Sequence, residues 1–188
     1  NFIKQWNSIK EAAIFYNGSA LAFTVSNSES AVSAGVELEI RKSLTKNFML
    51  LFNASLINSD VVVSGLSDYS RYLQGQSPYI VNSGLFYSLP EKGIQANILY
   101  NVVGESLYVI GDNVLSSNVY QMPRNVLDLN ISKSFGNIKV NARLQDILNQ
   151  PFKLVQDTNR DNKISDNDGV FQEYRRGSAI YLGANYMF

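Results

Sequence analysis

The sequence predicts an all-β fold, an antiparallel transmembrane β-barrel segment, and three observations predict it. Apolar and polar residues alternate with a period of two along most of the 188 residues. Short connections alternate with long polar ones. The last stretch alternates too and closes on an aromatic residue, Phe188. A period of two sends successive side chains to opposite faces of a strand.

The elements follow in order. The first sixteen residues make one poorly patterned strand candidate. Residues 19–42 read as one long strand, kinked near Asn27 to Ala31, in which Val36, Leu38 and Ile40 alternate with Glu37, Glu39 and Arg41. After a short connection at 43–46, Leu50, Phe52, Ala54 and Leu56 share a face. A long polar stretch, 60–77, follows. Tyr79, Val81, Leu85 and Tyr87 then lie opposite Asn82, Gly84 and Ser88. Beyond the short link 90–93, Ile94, Ala96, Ile98, Tyr100 and Val102 lie opposite Gln95, Asn97 and Asn101. The second long stretch is 105–124. Leu127, Leu129, Ile131 and Phe135 come next on one face, with Lys133 the exception. Gly136-Asn137 is a tight-turn dipeptide. It leads into Ile138, Val140, Ala142 and Leu144, alternating with Lys139, Asn141, Arg143 and Gln145. The third long stretch is 149–176, and Ile180, Leu182, Ala184, Tyr186 and Phe188 end the chain on one face. About eight strands result, and no helix.

Short turns on one side and long loops on the other are the asymmetry of outer-membrane barrels, with the long loops extracellular. If Phe188 lies at the periplasmic side, every short turn falls there. Connections beyond about 15 residues are uncommon in compact soluble domains. A soluble antiparallel sandwich also alternates, its apolar face meeting a second sheet, and it stays as a rival. Eight strands could close alone, but the chain reads better as a piece of a larger barrel.

Composition excludes several functions. The formal net charge is +0, with 16 basic and 16 acidic residues, against the basic excess of a nucleic-acid binder. No Cys and no His are present, so disulfides, Cys or His metal ligands and catalysis by either are excluded. No apolar run approaches the roughly 20 residues of a membrane helix. No phosphate loop or paired-carboxylate site is evident, so no enzyme is expected. The chain starts at Asn1 without a signal segment, as a processed chain or a fragment would.

Several runs together resemble TonB-dependent receptor barrels of the Bacteroidota type. Ser30-Ala31-Val32-Ser33-Ala34-Gly35-Val36-Glu37-Leu38-Glu39 is similar to their A-x-x-x-G-x-E-x-E strand. The run Arg71 to Asn82 resembles a segment common in them, and Tyr120-Gln121-Met122-Pro123-Arg124-Asn125-Val126-Leu127-Asp128 resembles their x-x-P-R-x-x-L-D segment. Asp146-Ile147-Leu148-Asn149-Gln150-Pro151-Phe152 looks like their N-I-L-N-x-P-Y run, with Asp146 in place of Asn and Phe152 in place of Tyr. The resemblance implies about the last eight strands of a 22-stranded barrel, with a plug expected upstream. It implies import of a scarce ligand through TonB acting on that plug, in contact with outer-membrane lipid, with room for a surface lipoprotein as a further partner. A non-transport barrel, such as an adhesin or a secretion scaffold, is the alternative. Within this frame Gly35 suits a bend or bulge and Pro78 the first residue of a strand.

Three constellations stand out. Tyr181, Tyr186 and Phe188 resemble the signal read by the barrel-assembly machinery, though an ordinary closing strand would look the same. Loop 157–168 has calcium-loop spacing, with Asp157, Asn159 and Asp161 at positions 1, 3 and 5, the Lys163 carbonyl at 7, Ser165 at 9 and Asp168 at 12. Asn162 replaces the usual Gly at position 6. A solvated, turn-rich loop has the same composition. No cofactor is required, and any Ca²⁺ here would be structural. Lastly, the loop residues Tyr69, Arg71, Tyr72, Tyr108, Tyr120, Tyr174 and Arg175 are candidate ligand contacts, or caps on an aromatic belt.

Overall fold

A computed structural model describes the backbone of residues 2–5, 10–17, 20–62, 70–111 and 117–188, and side chains within 28–62, 71–111 and 117–188. Among the described residues it is all-β and antiparallel, apart from one 3₁₀ turn at Pro90–Lys92. No helix is long and apolar enough to cross a membrane.

The main sheet is a wall. It comprises β1 (Phe2–Gln5), β4 (Ser30–Ser43), β5 (Phe48–Val62), β7 (Tyr79–Leu89), β8 (Ile94–Val103), β11 (Arg124–Phe135), β12 (Ile138–Gln145) and β15 (Ala179–Tyr186), paired in that order. The two-residue β6 (Ser70–Arg71) pairs with the end of β5. A hairpin, β2 (Lys10–Asn17) with β3 (Ala20–Asn27), stands apart as its own sheet.

Register carries the alternation from strand to strand. Glu39 pairs with Asn53, Asn53 with Asn82, and Asn82 with Asn101. Asn97 pairs with Asn130, and Asn130 with Arg143. These residues share one polar face. The other face carries Val36, Leu38, Phe52, Leu56, Leu85, Ile98, Ile131, Val140 and Leu182. Nothing among the described residues covers it: Val36 is 71% exposed and Leu182 79%. The predicted strands from 79 to 145 therefore stand with the predicted faces.

Three expectations near the start are corrected. Residues 19–42 are not one kinked strand. The chain breaks at Ser28 and Glu29, and its halves join different sheets, β3 to the hairpin and β4 to the wall. The first sixteen residues hold β1 and the start of β2 rather than a single strand. Gly35 is also no bulge, since β4 pairs with β5 in continuous register through it. Its need is space, because a Cβ there would lie 2.7 Å from the Leu56 carbonyl oxygen.

The long stretches are not simple loops. β9 (Ser106–Val109), β10 (Val119–Gln121), β13 (Phe152–Gln156) and β14 (Gly169–Tyr174) form a second sheet in the order β14-β13-β10-β9. Its order repeats that of β15, β12, β11 and β8, so each wall strand runs on into a strand of this protruding sheet. The strands break between the two sheets for local reasons. Pro123 and Pro151 lack an N–H for a ladder. Gly104 admits the Tyr79 ring, which would lie 2.6 Å from a Cβ there. The buried apolar cluster lies in this upper part: Leu107, Ile110 and Tyr120, with Met122 and Ile164 packed against them.

Candidate functional site

Three features meet at the upper edge of the wall. The first is the joint between the sheets, built by two of the quoted runs. Arg124 opens β11. Its Nη2 pairs with Asp146 Oδ2, and its Nε donates to the Gln150 carbonyl at 3.1 Å. Asp128 receives the Asp146 N–H at 2.8 Å and pairs with Arg143 at 3.4 Å. The Asn125 N–H donates to the Gln150 carboxamide oxygen at 2.8 Å. Arg175 donates to the Asn149 carbonyl, and the Ser178 hydroxyl to the Asp146 carbonyl. Asp146 and Asn149 hold φ of 53° and 44°. Asp and Asn tolerate that left-handed region better than most residues.

The second feature is a cavity of about 380 Å³ lined by Asn58, Ser59, Asp60, Arg71, Tyr72, Tyr120 and Asn162. It brings together three of the predicted ligand contacts: Arg71, buried; Tyr120, buried; and Tyr72, exposed at the mouth. The others go elsewhere. Tyr108 and Tyr174 flank the Phe152 ring, at 6.4 and 5.1 Å between ring centres. Arg175 belongs to the joint, and Tyr69 lies outside the described residues. Donors, acceptors and aromatic faces together line this hollow.

The third is the acidic loop. Asp157 is 1% exposed and accepts the N–H groups of Asp161 and Asn162 at 3.2 and 2.8 Å. Asn162 has φ 61°, the left-handed conformation that position 6 of a calcium loop requires. The Asp168 carboxylate spans the loop, accepting the Thr158 N–H at 2.9 Å and the Ser165 N–H at 2.7 Å. The Ser165 N–H chiefly, opposed by desolvation and joined by the Thr158 N–H and both hydroxyls, holds its pKa below the ordinary aspartate value. Among the described residues no three acidic side chains converge as a metal group would. Ile164 packs on the buried cluster above the joint. Asn118, which sequence reasoning passed over, receives the Asp157 N–H on its carbonyl and donates its amide to Asn162 Oδ1 at 3.0 Å. Its only sequence signal is a lone Asn before an apolar pair.

At the other end of the wall, Tyr186 and Phe188 make an edge-to-face pair at 5.1 Å. By register Tyr181 falls on the opposite face from Tyr186, beside Arg143.

No family model matches the chain, and no curated protein matches it. Among solved structures it is similar to the ferric yersiniabactin uptake receptor FyuA from Yersinia pestis, with a TM-score of 0.61 at 17% identity. The similarity covers 88% of this chain and 25% of that receptor, so the chain spans a quarter of its length. At that identity the likeness defines the fold, which is similar to the β-barrel part of that receptor.

Proposed function

We propose that the chain is part of the wall of a TonB-dependent outer-membrane receptor that imports a scarce nutrient, a transport role and not a catalytic one. The short turns face the periplasm, the protruding sheet faces outward, and TonB acts through a plug supplied by another part of the polypeptide. One observation carries this reading: a continuous apolar face, opposite a polar one, lies uncovered across the wall. A soluble sandwich would bury that face against a second sheet. Lipid is its natural solvent, and β7, β8 and β11, with 11, 10 and 12 residues, are long enough for the roughly 9–11 residues a tilted strand needs to cross. The likeness to an uptake receptor supports the same reading. The cavity lined by Arg71, Tyr72 and Tyr120 is the proposed ligand contact.

The deciding measurement is the intact mass of the native polypeptide carrying this chain, after detergent extraction of outer membranes. A barrel of 22 strands with long loops needs roughly 70 kDa or more, by the strand lengths of membrane barrels. Recovery near 21.0 kDa, the mass of these residues alone, or only in the soluble fraction, refutes the receptor reading.

A structural Ca²⁺ in loop 157–168 is part of the proposal, held by Asp157, Asn159, Asp161, the Lys163 carbonyl, Ser165 and Asp168. The left-handed Asn162 and the inward-packed Ile164 support it. Isothermal titration with CaCl₂ tests it, and absence of binding at millimolar Ca²⁺ refutes it.

A further inference from the structure

Lys133 interrupts the apolar face of the wall. It lies on β11 between Ile131 and Phe135, with Ile94 and Val140 beside it in register. Its ammonium sits 5.5 Å from the centre of the Phe135 ring and donates to the Lys92 carbonyl. Lys42 shares the face of Val36, Leu38 and Ile40 near the same end of β4. Lys46 and Lys92 occupy the turns, and the first turn is tied to the end of β7 that leads into the second: the Asn47 amide donates to the Ser88 carbonyl at 2.7 Å. This rim, residues 41–47, 90–94 and 132–139, holds six basic residues and one acid, Glu91. Arg41 sits 3.8 Å from Glu39, and Lys139 donates to Gln95 on the polar face. Lys42, Lys46, Lys92 and Lys133 remain along the rim, in a chain whose formal net charge is +0.

We propose that Lys92 and Lys133, flanked by Lys42 and Lys46, hold the phosphate of an anionic phospholipid in the leaflet on the short-turn side. The lipid's acyl chains lie along the apolar face. This rests on the membrane-wall reading. Phe48 and Tyr87, 4.8 Å apart, and Phe135 mark the aromatic level where headgroups begin. A lysine just inside that level reaches its ammonium out to the polar layer and there meets lipid phosphate. Glu91 offsets one of the four charges, leaving the rim basic. Basic clusters at a membrane edge attract anionic headgroups.

The test uses the full-length protein that carries this chain, purified in nonionic detergent and titrated with phosphatidylglycerol or phosphatidylcholine. Native mass spectrometry counts the bound lipid. Phosphatidylglycerol is expected to be retained preferentially. Each lysine removed from the Lys92→Gln, Lys133→Gln pair is expected to weaken retention about fivefold at low ionic strength, and Lys133→Arg to preserve it. Should the double variant fail to fold, Lys46→Gln in the exposed turn supplies the same reading. Equal retention of the two lipids overturns the proposal, as does full displacement by inorganic phosphate, which would mark a site for the free ion. Recovery without detergent would sink the membrane reading itself, whereas indifference to headgroup charge in a detergent-extracted protein sinks only this proposal.

Discussion

Arg124 pairs with Asp146 across 22 positions of the chain, and the pair ties the first residue of β11 to the turn after β12. The two side chains are 18% and 10% exposed, so each charge depends on the other. Removing the cation leaves a buried carboxylate. Arg124→Met is expected to cost about 3 kcal/mol or more, read as a lowered midpoint of urea unfolding in lipid vesicles. Asp146→Asn keeps a residue that accepts a positive φ but strands the Arg124 guanidinium, which retains its bond to the Gln150 carbonyl, so its cost is expected to be of the same order, about 3 kcal/mol.

The apolar face makes a sharper demand. Ile131→Lys or Val140→Lys is expected to cost about 2–4 kcal/mol if those positions lie near the bilayer midplane. Vesicle refolding measures it. A change within about 0.5 kcal/mol would mean that water, not lipid, meets that face.

On the polar face, Asn82 donates to Asn53 at 2.7 Å and accepts from Asn101 at 2.6 Å. Asn82→Ala removes both bonds at once and is expected to destabilise by about 1–3 kcal/mol. A double-mutant cycle of Asn53→Ala with Asn101→Ala should show non-additivity, since both lean on the same partner.

Asp168 sets a pH dependence. Its folded pKa lies below the ordinary value of 3.8, chiefly through the Ser165 N–H. The sign follows: its contribution is fully present above the ordinary value and is lost as pH falls through the lower, folded one. Protection of the Thr158 and Ser165 amides from hydrogen exchange, taken relative to the intrinsic rate at each pH, should fall over that acid range. Asp168→Asn should flatten the response, and an unchanged profile in the variant would show that another group is responsible.

Much of the wall was legible because each strand from 79 to 145 meets two different environments, and a period of two records that difference residue by residue. Ile98 and Asn97 declare their faces without any knowledge of their neighbours. The protruding sheet left no such record. Its strands have 3 to 6 residues, too few for periodicity, and their partners lie far along the chain. The joint was half visible. Arg124 and Asp146 both sat in runs singled out in the sequence, yet Asp146 read as a minor departure from Asn, because its partner is defined only once β11 and β12 pair. Among the loop residues, composition could not separate Arg71, Tyr72 and Tyr120, which share a cavity, from Tyr108 and Tyr174, which stack on Phe152. That division depends on tertiary placement: Tyr108, Tyr120 and Tyr174 ride different strands of the protruding sheet, whereas Arg71 ends β6 beside β5 and Tyr72 follows it.

The buried cluster of Leu107, Ile110 and Tyr120 sits above the joint, while among the described residues the wall below it holds no such buried apolar cluster. The two parts therefore answer to different surroundings. The upper sheet gains stability by hiding Leu107 and Leu154 from water and should respond to urea and temperature as a small soluble domain does. If the apolar band meets lipid, as proposed, the wall gains it by matching that band to the hydrocarbon, and should respond to acyl-chain length, thinning or thickening the bilayer to fit. A lipid series would shift one unfolding transition and leave the other in place.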